Sequence, residues 1–161
     1  MDKLISIGFI TGPFGLKGEL KIISDENHLD KIFKIGNALY IDNNKYIIKT
    51  YRLQKNHHLV SFDGFEDINK IENLIKKNVY INKEDLSLEN NEYLYIELYD
   101  LDIIDNNEII GKVEEILFNK TTTFIKSGNL IIPMIPKYFD KVDLKNKKVY
   151  VKDTKELILW E

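Results

Sequence analysis

A glycine-punctuated segment, Gly8-Phe9-Ile10-Thr11-Gly12-Pro13-Phe14-Gly15-Leu16-Lys17-Gly18-Glu19-Leu20-Lys21-Ile22, is the first place to look for chemistry in this chain. Closely spaced glycines let backbone N–H groups close around a phosphate. The spacing argues against that use. A phosphate loop needs Gly-x4-Gly-Lys-Ser/Thr opening onto a helix, whereas Lys17 precedes its glycine and Glu19-Leu20-Lys21-Ile22 alternates as a strand does. Gly12, Gly15 and Gly18 also miss the dinucleotide pattern. The segment reads as strand, tight loop, strand, with Gly15 and Gly18 at backbone angles closed to β-branched residues.

The other reactive residue types are sparse. There is no cysteine, which excludes disulfides, thiolate metal sites and cysteine nucleophiles together. The histidines are His28, His57 and His58. Neighbours in a strand point to opposite faces, so His57 and His58 cannot share one ion there, and both read as solvent-exposed or loop histidines. Asp100, Asp102 and Asp105 partly match a calcium loop, but its glycine and closing glutamate are misplaced; a charged strand edge that resists aggregation is the plainer reading. No serine sits in a nucleophile elbow. Catalysis, a cofactor and a metal are therefore not expected. The cluster Tyr93-Leu94-Tyr95 with Tyr99, beside Glu92, Glu97 and Asp100, is different. Tyrosine combines a large apolar face with a polar tip, which suits the centre of a protein interface, and carboxylates suit its rim. The same rings could instead pack a linker against a barrel.

These residues must be positioned by β structure. Short apolar runs alternate with turns at Asp42-Asn43-Asn44-Lys45, Asp63-Gly64, Asp105-Asn106-Asn107, Ser127-Gly128-Asn129 and Lys145-Asn146-Lys147. Pro133 and Pro136 break a strand. One helix is expected, where Phe65, Ile68, Ile71, Leu74 and Ile75 recur at helical spacing between Glu66-Asp67 and Lys76-Lys77. The expected fold is mainly β: two small β-barrels in tandem, residues 1–85 and 92–161, joined by a polar linker at 86–91. At 43% hydrophobic and 30% charged the chain can bury a core and stay soluble. No apolar run approaches the ~20 residues of a membrane span, and no secretory signal is visible, so a cytoplasmic monomer is expected. Ile, Lys, Asn, Tyr and Phe make up 80 of the 161 residues. All five have AT-rich codons, so Lys76-Lys77 and Lys147-Lys148 do not by themselves read as nucleic-acid patches. Residues 1–87 hold 13 basic and 12 acidic residues, and 88–161 hold 10 and 14. An acidic second half suits a basic protein partner better than naked RNA.

Taken in order, several blocks make the chain resemble the RimM family of ribosome maturation factors. They are Gly8-Phe9-Ile10 through Ile22; Leu59-Val60-Ser61-Phe62-Asp63-Gly64-Phe65 with Val79-Tyr80-Ile81; Asn91-Glu92-Tyr93; Ile110-Gly111-Lys112-Val113; and Ile132-Pro133-Met134-Ile135-Pro136 with Val142-Asp143-Leu144. The resemblance implies an N-terminal barrel like that of translation factors and a C-terminal PRC barrel. It implies a role in assembling the 30S small-subunit head and in 16S rRNA processing. It also implies a direct partner, the small-subunit ribosomal protein uS19, held largely by the C-terminal domain, with any RNA contact secondary. The family's paired tyrosines stand here as Tyr93-Leu94-Tyr95, and its Asp-Leu-Ile-Gly stretch as Glu97-Leu98-Tyr99-Asp100. The competing reading is an RNA-binding barrel that stacks bases on Tyr93, Tyr95 and Tyr99.

Overall fold

A computed structural model describes residues 3–15 and 17–158, and it is mainly β. It divides into two compact units, Met1–Glu92 and Tyr93–Glu161. The first contains β1 (Leu4–Phe14), β2 (Glu19–Ile23), α1 (Leu29–Ile32), β3 (Ala38–Ile41), β4 (Asn44–Gln54), β5 (His57–Phe62), α2 (Ile68–Ile71) and β6 (Asn78–Asn82). Its strands close into a barrel in the order β1-β2-β5-β4-β3-β6, with β6 returning to β1 and every pairing antiparallel. Closure depends on the length of β1. Its first half pairs with β6 (Leu4↔Asn82, Ile5↔Ile81) and its second with β2 (Ile10↔Ile22, Phe14↔Glu19), with a register shift in each ladder. Such irregularities bend a strand enough to serve two neighbours. Period-two alternation then turns Leu20, Ile22, Val60 and Phe62 into the barrel, all fully buried.

Turn chemistry sets the hairpins. Asp42 and Asn43 both take positive φ (53° and 65°), as a two-residue turn matched to strand twist requires, so the β3–β4 loop is two residues rather than the four expected. Gly18 has φ +84°, and a Cβ there would lie 2.5 Å from the Phe65 carbonyl oxygen. The β1–β2 loop is thus pressed against the chain leaving β5. Arg52 fastens its far side, with two bonds to the Glu19 carboxylate (3.0 and 2.9 Å) and its guanidinium 5.2 Å from the Phe14 ring centre.

The expected helix at 65–75 is much shorter. Asp67 caps it by accepting from the Asn69 N–H at 2.9 Å, α2 runs four residues, and a 3-10 turn, Glu72–Leu74, follows. Ile71 and Leu74 are buried as the periodicity required. The helix stops because the backbone beyond it is taken by β1: Lys76 N donates to Ile10 O and Ile10 N to Lys77 O, both at 2.9 Å. The polar linker expected at 86–91 begins with contacts to residues of the first unit. Leu86 is buried, and the Lys31 ammonium donates to Ser87 O at 2.9 Å.

The second unit contains β7 (Asp102–Asp105), β8 (Glu108–Lys112), β9 (Glu115–Phe118), β10 (Thr123–Ser127), β11 (Leu130–Pro133), β12 (Phe139–Asp143), β13 (Lys148–Val151) and α3 (Lys155–Ile158). A second small β-barrel was expected; the described residues form two sheets, β12-β13-β7-β8 and β11-β10-β9, around one core that includes Leu98, Ile103, Val113, Ile125 and Val149. The β run from Glu108 to Phe118 breaks at Val113-Glu114. Val113 bonds to Leu101 and Glu114 to Lys126, so the chain turns a corner from one sheet to the other. β13 and β7 pair in parallel, which no local pattern announces.

Candidate protein-binding surface

Tyr95–Leu98 form a 3-10 turn at the start of the second unit. Glu97 shapes it by reaching back to accept the Leu94 N–H at 2.9 Å, and the fully buried Leu94 and Leu98 anchor it. Tyr93 and Tyr95 lie half-buried against the second core. Burial pushes the Tyr93 hydroxyl above the usual tyrosine range. Tyr99 is exposed, and Asp100, at φ 67°, is exposed after it.

Tyr95 marks the open end of the inner face of the three-stranded sheet. Ile116, Ile125 and Ile132 form one buried cross-strand row. Two residues on, the same face carries Phe118, opposite Thr123, whose carbonyl accepts from Met134 N at 2.8 Å. The Tyr95 ring lies 5.6 Å from that of Phe118, and the Thr123 hydroxyl donates to the Tyr95 hydroxyl at 3.3 Å. This second row is only partly covered, with Phe118 46% exposed; beside it, past the end of β11, Ile135 is 37% exposed. An aromatic and thioether surface at the mouth of a core offers a rigid anchor beside an adaptable one. Strand alternation alone signals Phe118 and Met134, because it sets the inward parity of β9 and β11 without showing how far their ends are covered; Ile135 has the opposite parity and no local signal marks it.

Glu92 falls with the first unit. Its carboxylate accepts from the Glu89 N–H (2.8 Å) and from Lys31 Nζ (2.8 Å), and lies 3.5 Å from His28 Nδ1. The Glu89 bond first and Lys31 second hold it below the usual carboxylate range, and Glu92 in turn raises Lys31. With the boundary at Glu92, the first unit carries 13 basic and 14 acidic residues and the second 10 and 12. The strong asymmetry read from 88–161 therefore came from Glu89 and Glu92. The acidity of the second unit lies in where its charges sit. Residues 137–152 hold six lysines against two aspartates, and the remainder of that unit holds four lysines against ten acidic residues.

Two other expectations are corrected. Asp102 and Asp105 are not on a sheet edge: β7 lies between β13 and β8, Asp102 pairs with Lys112 at 2.9 Å, and Asp105 accepts from the Thr154 hydroxyl and N–H. His58 is buried, not exposed. It shares a 2.8 Å hydrogen bond with the Tyr51 hydroxyl and stacks on Phe33 with ring centres 4.5 Å apart. Burial, then the neighbouring His57, pushes its pKa down. Among the described residues no group of three or more His, Asp or Glu is placed to hold a metal ion, and no helix is long and apolar enough to cross a membrane.

A family model for the RimM N-terminal domain matches residues 5–86. The ribosome maturation factor RimM of Ligilactobacillus salivarius is 36% identical over 156 residues, covering 90% of this chain and 93% of its own. That of Staphylococcus aureus is 32% identical over 157 residues, covering 91% and 94%. A crystal structure of the 16S ribosomal RNA processing protein RimM of Pseudomonas aeruginosa overlaps 93% of this chain and 97% of its own, at 18% identity and a TM-score of 0.47.

Proposed function

Because the chain belongs to the RimM family of ribosome maturation factors, we propose that it works by binding, without catalysis, and that its second unit holds the ribosomal protein uS19 while the 30S head is assembled. The observation that carries this reading is the half-covered row at the mouth of the second core, Tyr95, Phe118 and Met134 with Ile135 beside it, on a unit whose surface outside residues 137–152 is strongly acidic. Desolvated aromatic anchors supply affinity in protein interfaces, while surrounding carboxylates steer a lysine- and arginine-rich partner and suppress others. Tyr99 and Asp100 extend the exposed surface, and Tyr93 supports it from the core side. Glu97 acts by shaping the turn that carries Tyr95 rather than as a free rim charge. Base stacking on these tyrosines is disfavoured, because Tyr93 and Tyr95 lean on the core and acidic residues outnumber lysines in this part of the unit.

The test is association of the full chain with purified uS19, followed by kinetics over a salt series after nuclease treatment of both proteins. Binding that survives nuclease, with an on-rate that falls as salt rises, supports the reading. Absence of binding under those conditions refutes it.

A further inference from the structure

We infer that the β12–β13 hairpin is a docking surface for the phosphate backbone of RNA, separate from the tyrosine-centred surface. In sequence, Lys147-Lys148 is unremarkable in a lysine-rich chain. Codon pressure raises lysine everywhere, however, and does not sort it by sign. Here the sorting is strong: residues 137–152 have a net charge of +4, and the rest of the same unit has a net charge of -6.

The geometry narrows the patch to three side chains. Lys137 lies 3.4 Å from Glu156. Lys148 pairs in register with Asp143 on one side and Asp102 on the other. Lys152 lies past the end of β13, which leaves on the hairpin itself Lys141, Lys145 and Lys147, all exposed, and among the described residues none of them is ion-paired. Asp143, within the hairpin, is engaged in its turn. The Asp143 carboxylate accepts from Asn146 Nδ2 at 2.7 Å and from Asn146 N at 3.2 Å, and so closes the turn. The turn is also fixed to the sheet, because Lys147 O accepts from Asp102 N at 2.9 Å. Lys141 is held over the Tyr150 ring with its ammonium 5.0 Å from the centroid. Three exposed cations on a hairpin fixed to its sheet match a polyanion whose charges repeat along a chain.

The probe is a fluorescently labelled fifteen-nucleotide oligouridylate, titrated with the full chain by anisotropy between about 50 and 200 mM salt. Three neutralised phosphates on a single strand give a slope of log affinity against log salt of about -2, or roughly fifteenfold weakening over that range. Replacing all three lysines (Lys141→Gln, Lys145→Gln, Lys147→Gln) should flatten the slope to near zero and weaken low-salt binding more than about tenfold. The arginine triple (Lys141→Arg, Lys145→Arg, Lys147→Arg) should keep both slope and affinity. Lys120→Gln with Lys126→Gln, elsewhere on the same unit, should change neither. The inference is overturned if the wild-type chain does not bind, if the glutamine triple keeps its slope, if the arginine triple loses binding while melting normally, or if the control pair costs as much as the hairpin triple. None of these readings involves uS19, so they stand or fall apart from the protein-binding surface.

Discussion

Placing one methyl group at Gly18 and one at Gly15 should have very different effects. Both glycines have positive φ, so alanine at either costs about 1–2 kcal/mol of backbone strain, partly offset by the entropy removed from the unfolded chain. At Gly15 the added Cβ meets nothing within 4 Å, which leaves a net loss of roughly 0.5–1 kcal/mol. At Gly18 the Cβ would stand 2.5 Å from Phe65 O and 2.8 Å from both Glu66 Cα and C. Those are backbone atoms, and their loop is anchored. Phe65 N donates to Phe62 O at 3.1 Å, the Phe65 ring meets Tyr46 edge-on at 5.1 Å, and the Glu66 carboxylate holds Lys49 at 2.9 Å. Relief requires two pieces of backbone to separate by several tenths of an ångström, and overpacking of that kind adds about 1–3 kcal/mol. Gly18→Ala should therefore cost about 2–4 kcal/mol in total, and Gly18→Val more. Urea unfolding of the full chain, followed by circular dichroism and by resolved methyl signals of the first unit, measures the difference directly. If Gly18→Ala falls within about 0.5 kcal/mol of Gly15→Ala, the loop is not pressed against residues 65–66 and the packing argument fails.

Three further outcomes follow from the side chains already placed. Tyr95→Ala and Phe118→Ala should each weaken uS19 binding by about 2 kcal/mol, roughly thirtyfold; normal melting with unchanged binding in both would move the interface elsewhere. His58 is buried with a depressed pKa, so the unfolded chain takes up a proton near pH 6.5 before the folded chain does. Its contribution is complete above that pH and is lost as the pH falls, at up to about 1.4 kcal/mol per pH unit. His58→Gln should flatten the stability curve between pH 6.5 and 5, and parallel curves for wild type and variant would contradict the assignment. Glu92→Gln weakens the contacts to Lys31 and His28, so limited proteolysis and amide exchange should speed up across residues 86–92 before anywhere else; unchanged exchange there would mean the clasp is inconsequential.

Local signals in the sequence were reliable wherever local physics decides the structure. The Asp42-Asn43 and Asn106-Asn107 turns fall where small polar residues accept positive φ, and the Gly128-Asn129 turn where glycine does, while the flanking alternation fixes which side chains face inward. The failures are tertiary. Helical periodicity from Phe65 to Ile75 correctly gave the buried Ile71 and Leu74 but not the helix length, because β1 recruits the backbone of Lys76 and Lys77. α1 follows a polar stretch with no apolar repeat, so nothing local marks it. His58 looks like any histidine until Phe33 and Tyr51 close over it. Tyr93 and Tyr95 were legible as a cluster, but Phe118 and Met134 join Tyr95 only through strand pairings more than twenty residues away in sequence. Net charge was the least reliable guide: two glutamates at a domain boundary created the contrast between the halves, while the real segregation lies within the second unit.

The seam between β1 and β6 also sets an order of events during synthesis. Residues 4–9 emerge well before residues 78–82, yet it is with those residues that this half of β1 pairs, Phe9 alone also pairing with β2. At about 5–20 residues per second a translating ribosome takes roughly 4–15 seconds to supply them. A β1–β2 hairpin can form within microseconds of its own completion, so the nascent chain spends nearly all of that interval with one apolar strand paired on a single side. Such an edge is a template for wrong partners, including another nascent chain on the same message. The first unit therefore cannot fold progressively from its N-terminus. It waits, and then closes in one cooperative step once Asn82 has cleared the exit tunnel.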